Sequence, residues 1–221
     1  MSNNLYMKKI GEKAKLASLN LSNLNIDKRN SVLKQFSQYL GIYSQLILDS
    51  NKKDISNAKF KKIKDSMIDR LKLNNKKIAQ MRNSIEEIIR FKDPIGKTLS
   101  SWKRPNGLII KRVSIPIGVI GVIYESRPNV TSDVSTLCFK AGNVAILRGG
   151  SEAFYSNKIL AKLFKRALKK KKCDENCVQF VESKDRNHVD YLLSSMKNYI
   201  DVIIPRGGKG LVKKVLKKSS I

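Results

Sequence analysis

Apolar residues recur every three or four positions through the first hundred residues, a pattern that predicts amphipathic helices. The first helix has an apolar face that comprises Met7, Ile10, Ala14, Ala17 and Leu21. A turn at residues 23–25 follows, and Asp27 is the predicted N-cap of a second helix. The apolar residues of that helix are Val32, Leu33, Phe36 and Leu40. Further helices are predicted at residues 65–71 and 78–91, and the Asp-Pro pair at 93–94 ends the series.

The pattern changes after residue 100, where short apolar runs alternate with helical segments. The predicted strands span residues 107–113, 114–124, 143–147, 178–181 and 202–204. The predicted helices between them span residues 131–140, 152–168 and 188–196. Because such alternation forms βαβ units, we predict an α/β fold with a parallel sheet that helices cover on both faces. The mainly helical residues 1–100 are expected to pack on the strand and helix alternation of residues 101–221 as one domain.

Charge is the most conspicuous feature of the composition, since 45 Lys and Arg residues against 18 Asp and Glu residues give a net charge of +27. A field of this size attracts polyanions, so a basic nucleic-acid-binding protein is one interpretation. The basic residues are dispersed, however, and only residues 169–172 form a run. Aromatic residues make up 7% of the chain and are not interleaved with the basic ones, as a stacking surface for bases requires. We therefore expect no specific nucleic-acid partner.

The longest apolar run, residues 115–124, is far shorter than the roughly 20 residues of a membrane helix. We expect a soluble cytoplasmic protein without a membrane partner. Cys138, Cys173 and Cys177 are irregularly spaced, and His188 is the only histidine, so too few ligands are present for a metal site. Reduced thiols in a reducing compartment are the simplest interpretation.

Two glycine-rich turns follow predicted strands and lead into helices. The first turn contains Arg148, Gly149, Gly150, Ser151 and Glu152, and the second contains Arg206, Gly207 and Gly208. Glycine lets the backbone approach a ligand closely, and a helix N-terminus offers free N–H groups to an anion. Each turn alone is equally typical of a chain reversal that needs a positive φ. Two of them at the carboxyl ends of neighbouring parallel strands indicate a ligand site.

A third polar group, residues 124–131, directly follows the most apolar strand. One interpretation is a capping turn, with Asn129 or Thr131 as the N-cap and Arg127 in solvent. The alternative is a second part of the ligand site, because strand ends and helix starts meet here.

Six short sequence motifs that resemble those of one protein family are spread along almost the whole chain. The longest is IPIGVIGVIYESRPNVT at residues 115–131. Others are DRL at 69–71, WKRPNGL at 102–108, LCFKAGN at 137–143, ILRGGSEA at 146–153 and DVIIPRGGKG at 201–210. These strings closely resemble the γ-glutamyl phosphate reductase family of the aldehyde dehydrogenase superfamily. The resemblance implies the Rossmann-like fold of the aldehyde dehydrogenase cofactor-binding domain.

The resemblance also implies a reaction, the NADPH-dependent reduction of L-glutamyl 5-phosphate to L-glutamate 5-semialdehyde, with release of phosphate, in proline biosynthesis. Arg148 and Ser151 would face the adenosine ribose and its 2′-phosphate, with the rest of the turn, residues 149–152, around them. Arg206, Gly207 and Gly208 would lie near the pyrophosphate. The substrate-end candidates, for an anionic group or the developing oxyanion, are Arg127 and Asn129.

Members of the family are much longer than this chain and carry their nucleophilic cysteine in a later segment. We therefore expect the catalytic domain and every catalytic residue to be absent from these 221 residues, and the chain to be inactive alone. The partners implied are the substrate, a missing catalytic half or a second copy of the chain, and glutamate 5-kinase as a functional partner. A non-catalytic interaction fragment is the remaining alternative, since residues 107–113 resemble the strands through which the superfamily assembles dimers.

Overall fold

A four-stranded parallel sheet lies at the centre of the computed structural model, which describes residues 3–185 and 187–221. The elements before it are α1 (Asn3–Ser22), α2 (Ile26–Ile42), α3 (Ser44–Phe60), α4 (Asp65–Leu71) and α5 (Asn75–Arg90). An antiparallel hairpin of β1 (Thr98–Lys103) and β2 (Ile109–Val113) follows. The remaining elements are β3 (Val119–Tyr124), α6 (Asn129–Lys140), β4 (Val144–Gly149), α7 (Phe154–Lys170), β5 (Val178–Phe180), α8 (Asn187–Ser194), β6 (Val202–Arg206) and α9 (Lys209–Lys218).

The strands are ordered β5-β4-β3-β6, and every neighbouring pair is parallel. All residues of the two central strands, β3 and β4, are buried, as expected for strands that helices cover on both sides. One layer contains α6 and α7, which pack on each other and on the sheet. The other contains α1 and α8, and Leu192 of α8 packs over Gly121 of β3. The predicted α/β fold is confirmed.

The N-terminal helices share one hydrophobic core with the sheet. The apolar residues predicted for α1 and α2 are all buried, and their core cluster extends from Met7 to Val215. Helix α2 packs on α5, α6 and α7, and so adds a further layer to one side of the sheet. Across the ranges that the structure describes, none of the helices combines the length and apolar character that crossing a bilayer demands.

Three predictions about element ends were wrong. The N-cap of α2 is Asn25, whose side chain accepts a hydrogen bond from the Lys28 N–H at 2.9 Å, and Asp27 lies in the first turn. Residues 114–118 are not part of β3, because Pro116 lacks an N–H and Gly118 has a φ of 123°. The strand predicted from residue 107 begins only at Ile109.

Helix α3 docks through polar groups and was not predicted individually. The buried Asp54 carboxylate accepts hydrogen bonds from the N–H groups of Tyr155 (3.0 Å) and Ser156 (2.7 Å) in the first turn of α7. Burial raises the pKa of Asp54, and these hydrogen bonds offset the increase only in part. Asn51 of the same helix donates to the Leu71 carbonyl and to the Ser156 hydroxyl. These contacts fix α3 and α4 beside the β4–α7 turn.

Candidate functional site

Three adjoining clefts lie along the carboxyl edge of the sheet. The turn cleft, of about 320 Å³, is lined by residues 123–125, 148–152, 184, 189, 210, 211 and 214. The arginine cleft, of about 390 Å³, is lined by residues 67, 70, 125–127, 130 and 206–208. The helix cleft, of about 430 Å³, is lined by residues 69, 70, 73, 77, 80, 81, 84, 127, 129 and 133. Glu125 lines the first two clefts, whereas Arg70 and Arg127 line the last two, so the three are continuous.

The turn cleft contains the whole first glycine turn. Arg148 is only 5% exposed, and its guanidinium donates to the carbonyl of Gly149 and, at 3.4 and 3.3 Å, to those of Lys184 and Asp185. The side chain thus ties the end of β4 to the segment that follows β5. Ser151, by contrast, is exposed at the mouth of the cleft.

The glycines in both turns serve close packing. The chain-reversal interpretation required glycines with a positive φ in these two turns. Among the glycines that the structure describes, a positive φ occurs only outside the two turns, so this interpretation was wrong. A Cβ atom on Gly149 would overlap the Asn157 amide and lie 3.0 Å from the Tyr124 ring. A Cβ atom on Gly207 would lie 2.6 Å from the carboxyl carbon of Glu125. Gly149 therefore requires glycine because buried side chains leave no room, whereas a side chain at Gly207 would have to displace the exposed Glu125 side chain.

Glu152 links the first turn to the loop between β3 and α6. Its carboxylate accepts hydrogen bonds from the Ser126 N–H at 3.2 Å and the Ser126 hydroxyl at 2.7 Å. Ser126 has a φ of 21°, which residues with a side chain rarely adopt, and these bonds help to hold it there. Burial raises the pKa of Glu152, but the hydrogen bonds from Ser126 and Ser151 outweigh it, so the pKa lies below its ordinary value. The carboxylate is ionised at neutral pH.

The second turn lies at the end of β6 and opens α9. The Gly208 N–H, at the N-cap of α9, donates to the Glu125 carboxylate at 2.9 Å. Strand β3 separates β6 from β4, so the two turns are not on neighbouring strands as predicted. They instead flank the loop that follows β3, and this loop completes the edge between them.

The third polar group does not form the predicted capping turn, because Pro128, and neither Asn129 nor Thr131, is the N-cap of α6. The Asn129 amide donates to the Asp133 carboxylate at 2.9 Å. The Thr131 hydroxyl is buried and hydrogen-bonded to the Tyr124 hydroxyl at 2.7 Å and the Asn157 side chain at 2.9 Å. Burial raises the pKa of Asp133, and the Asn129 hydrogen bond and the nearby positive charge of Arg206 lower it only in part. Asn129 and Asp133 form a polar pair on the wall of the helix cleft.

Cys138, Cys173 and Cys177 lie outside the linings of all three clefts. Burial raises the pKa of Cys138 to about 12. Burial, with a smaller contribution from the Asp174 charge, raises the pKa of Cys177 to about 12. The half-buried Cys173 has a pKa raised by burial as well. Within residues 3–185 and 187–221, no group of three His, Cys, Asp or Glu side chains is placed to hold a metal ion.

We expect iodoacetamide at pH 8 to alkylate Cys173 first and Cys138 and Cys177 much more slowly. The thiolate is the reactive form, and a pKa of about 12 leaves about one thiol in ten thousand ionised at that pH. Mass spectrometry of peptides over a time course measures each site. In denaturant, the control, all three should react at similar rates, and fast labelling of Cys138 in the native protein would contradict the buried placement.

Sequence patterns did not identify several residues of the clefts. Lys184, Val189, Leu211 and Lys214 complete the turn cleft from segments far apart in the chain. Arg70 belongs to the DRL motif at residues 69–71, but the apolar and polar pattern around it did not assign it to a cleft. A basic or apolar residue one or two helical turns after a glycine turn is the signal that could have found Leu211 and Lys214.

Comparisons with known proteins agree with this architecture. No family model matches the chain. It is 42% identical over 212 residues to the γ-glutamyl phosphate reductase of Carboxydothermus hydrogenoformans, a match that covers 96% of this chain and 51% of that protein. The crystal structure of the Thermotoga maritima γ-glutamyl phosphate reductase superposes with a TM-score of 0.94 at 38% identity, covering 97% of this chain and 52% of that one.

A more distant likeness is to the fold alone. The probable aldehyde dehydrogenase of Listeria monocytogenes superposes with a TM-score of 0.72 at 14% identity, over 97% of this chain and 44% of that one. The chain thus spans about half the length of the relatives that it matches.

Proposed function

We propose that this chain, which belongs to the γ-glutamyl phosphate reductase family over the half of those proteins that it covers, is the NADP-binding half of the enzyme. The proposed reaction reduces L-glutamyl 5-phosphate to L-glutamate 5-semialdehyde with NADPH, releases phosphate and serves proline biosynthesis. The observation that carries the proposal is the turn cleft, in which Arg148–Glu152 and the start of α9 meet at the carboxyl edge of a parallel sheet. Open α/β sheets bind their ligands at this edge.

The residues of the turn cleft fit a dinucleotide. Val189 of α8 and Leu211 of α9 provide apolar surface for a base, and Lys184 and Lys214 provide positive charge for phosphate. Gly210 has open space around it, so a ligand can approach the backbone there. We assign the ribose end to Arg148, with residues 149–152 around it, and the pyrophosphate to residues 206–208 at the start of α9. When bound, NADPH supplies the hydride, and the residues of this chain bind and orient it.

The substrate end is assigned to the helix cleft. Arg127 is exposed on its wall and suits an anionic group of the substrate. The Asn129 amide carries a second N–H that the Asp133 hydrogen bond leaves available for an oxyanion. Since the helix cleft continues into the arginine cleft, the substrate and cofactor ends lie on one edge of the sheet.

Two exposed apolar surfaces support the proposed association with further chains. Ile204 of β6 and Leu216 of α9 are 43% and 77% exposed, and we propose that the catalytic half covers them. Trp102 and Ile109 of the β1–β2 hairpin are 45% and 60% exposed, which favours a homo-oligomer contact or, as the second candidate function, an interaction fragment. We place the protein in the cytoplasm, with glutamate 5-kinase as a functional partner.

Calorimetric titration of the purified chain with NADPH and NADH tests the proposed function. We expect Arg148→Ala to weaken NADPH binding about tenfold or more and NADH binding less, because a charge-assisted contact to phosphate contributes about 1.5–3 kcal/mol. Lys162→Ala, at an exposed position of α7 outside the turn cleft, is the charge-matched control. Equal loss for both cofactors would remove Arg148 from the 2′-phosphate, and no binding of either cofactor by the unaltered chain would reject the proposed function.

A further inference from the structure

The basic residues that line the arginine cleft are all arginines. Arg70 of α4, Arg127 of the β3–α6 loop and Arg206 at the end of β6 all line it, and no lysine does. The chain as a whole has 34 lysines and 11 arginines, so a general excess of positive charge would place lysines there. Arginine differs from lysine in its planar fork of donors, which matches the oxygens of a phosphoryl group.

The three guanidinium groups are available to a ligand. In the part of the chain that the structure describes, no hydrogen bond or ion pair engages any of them. The one carboxylate on the lining, that of Glu125, already accepts the Gly208 N–H. Arg206 also lies near the Asp133 carboxylate, so Arg70 and Arg127 are the two guanidinium groups that remain for a phosphoryl group.

We propose that Arg70 and Arg127 in the arginine cleft bind the phosphoryl group of an acyl phosphate substrate and that Arg70 is a specificity-determining residue for it. This inference rests on the proposed function. The arginine cleft shares Arg70 and Arg127 with the helix cleft and Glu125 with the turn cleft. A phosphoryl group held here lies between the substrate end and the cofactor end, where the phosphate that leaves during acyl transfer belongs.

Arg70 is the residue that separates this role from cofactor binding. It lies on α4, outside both glycine turns, and it is not among the residues that line the turn cleft. The competing ligand is the cofactor pyrophosphate, which carries the same phosphate chemistry and would use Arg206 and residues 207–208. A substitution at Arg70 should therefore affect a substrate phosphate and spare the cofactor.

The test uses inorganic phosphate as the probe, titrated into the full chain at constant ionic strength and followed by ³¹P NMR. We expect Arg70→Gln to raise the dissociation constant of phosphate roughly tenfold or more, since a charge-assisted bond is lost. Arg70→Lys should show a smaller loss, because it keeps the charge but not the fork. Arg112→Gln on the exposed strand β2 removes the same charge elsewhere and should change nothing.

A second titration in saturating NADPH distinguishes the two phosphate sources. Phosphate affinity within about twofold of the cofactor-free value supports the substrate subsite, and Arg70→Gln should leave NADPH affinity unchanged. Competition between phosphate and NADPH would overturn the proposal and assign the cleft to the pyrophosphate. No phosphate binding, or equal losses in Arg70→Gln and Arg112→Gln, would overturn it as well. Phosphate binding that depends on Arg70 in a chain that fails to bind NADPH would instead reject the proposed function alone.

Discussion

The Arg29→Ala variant is expected to lose about 3 kcal/mol of its free energy of unfolding. Arg29 is 1% exposed, and its guanidinium donates to the Leu24 carbonyl at 3.2 Å, to the Lys140 carbonyl, and to the Asp93 carboxylate at 2.6 Å. These bonds join α2 to the last residue of α6 and to the segment that follows α5. Alanine would leave two carbonyls without their donor and a space in a packed region, so the loss exceeds that of a surface ion pair.

Urea denaturation, followed by circular dichroism, measures the change. Arg112→Ala on the exposed hairpin strand is the control and should cost less than about 0.5 kcal/mol. Arg29→Lys should recover only part of the loss, because an ammonium cannot reach three acceptors in the fork geometry of arginine. A loss below about 1 kcal/mol in Arg29→Ala would show that this network does not hold the helices together.

Apolar periodicity predicted those parts of the fold whose buried faces are apolar. The spacing of Met7, Ile10 and Leu21 identified α1, and the unbroken apolar run of β3 indicated a strand covered on both sides. Helix α3 gave no comparable signal, because Asn51 and Asp54 are among its buried positions. Strand β1 was also missed, since all of its residues are exposed and its partner β2 is its only support among the described strands.

The cleft residues that directly follow strands were predicted from the sequence, whereas most of those that lie on helices were missed. The glycine turns and residues 124–131 lie next to strands, so the sheet topology alone brings them to one edge. Arg70 and Lys214 reach the clefts only through the packing of α4 and α9, which no local pattern encodes. The reason for Gly149 was also a tertiary one, because the Tyr124 and Asn157 side chains that exclude a Cβ there come from other segments.

The residues at the sheet edge can account for ligand binding but not for turnover. Every group that we assign to the cofactor or the substrate binds or orients, and none is a nucleophile. Acyl transfer to an enzyme and hydride delivery to the resulting thioester require a thiolate. The thiols of this chain are Cys138, Cys173 and Cys177, and none of them lines any of the three clefts at the sheet edge.

We therefore expect these 221 residues to show no reductase activity alone and to gain it when a catalytic half from a related enzyme is supplied. Fixing the acyl group covalently beside the cofactor contributes about 7–11 kcal/mol of barrier reduction, so the rate should differ by roughly 10⁵-fold or more. The assay follows NADPH oxidation with glutamyl phosphate generated enzymatically in place, since that compound cyclises quickly in water. The chain is assayed alone and then mixed with the separately expressed catalytic half.

The control is the triple variant in which Cys138, Cys173 and Cys177 are replaced by Ala. Its complemented activity should match that of the unaltered chain once the stability lost at Cys138 is allowed for, because buried thiols with raised pKa values supply no nucleophile. Loss of complemented activity in a folded triple variant would place one of these thiols in the reaction. Turnover by the purified chain alone would contradict the prediction directly, and a glutamyl thioester detected by mass spectrometry would then identify the cysteine responsible.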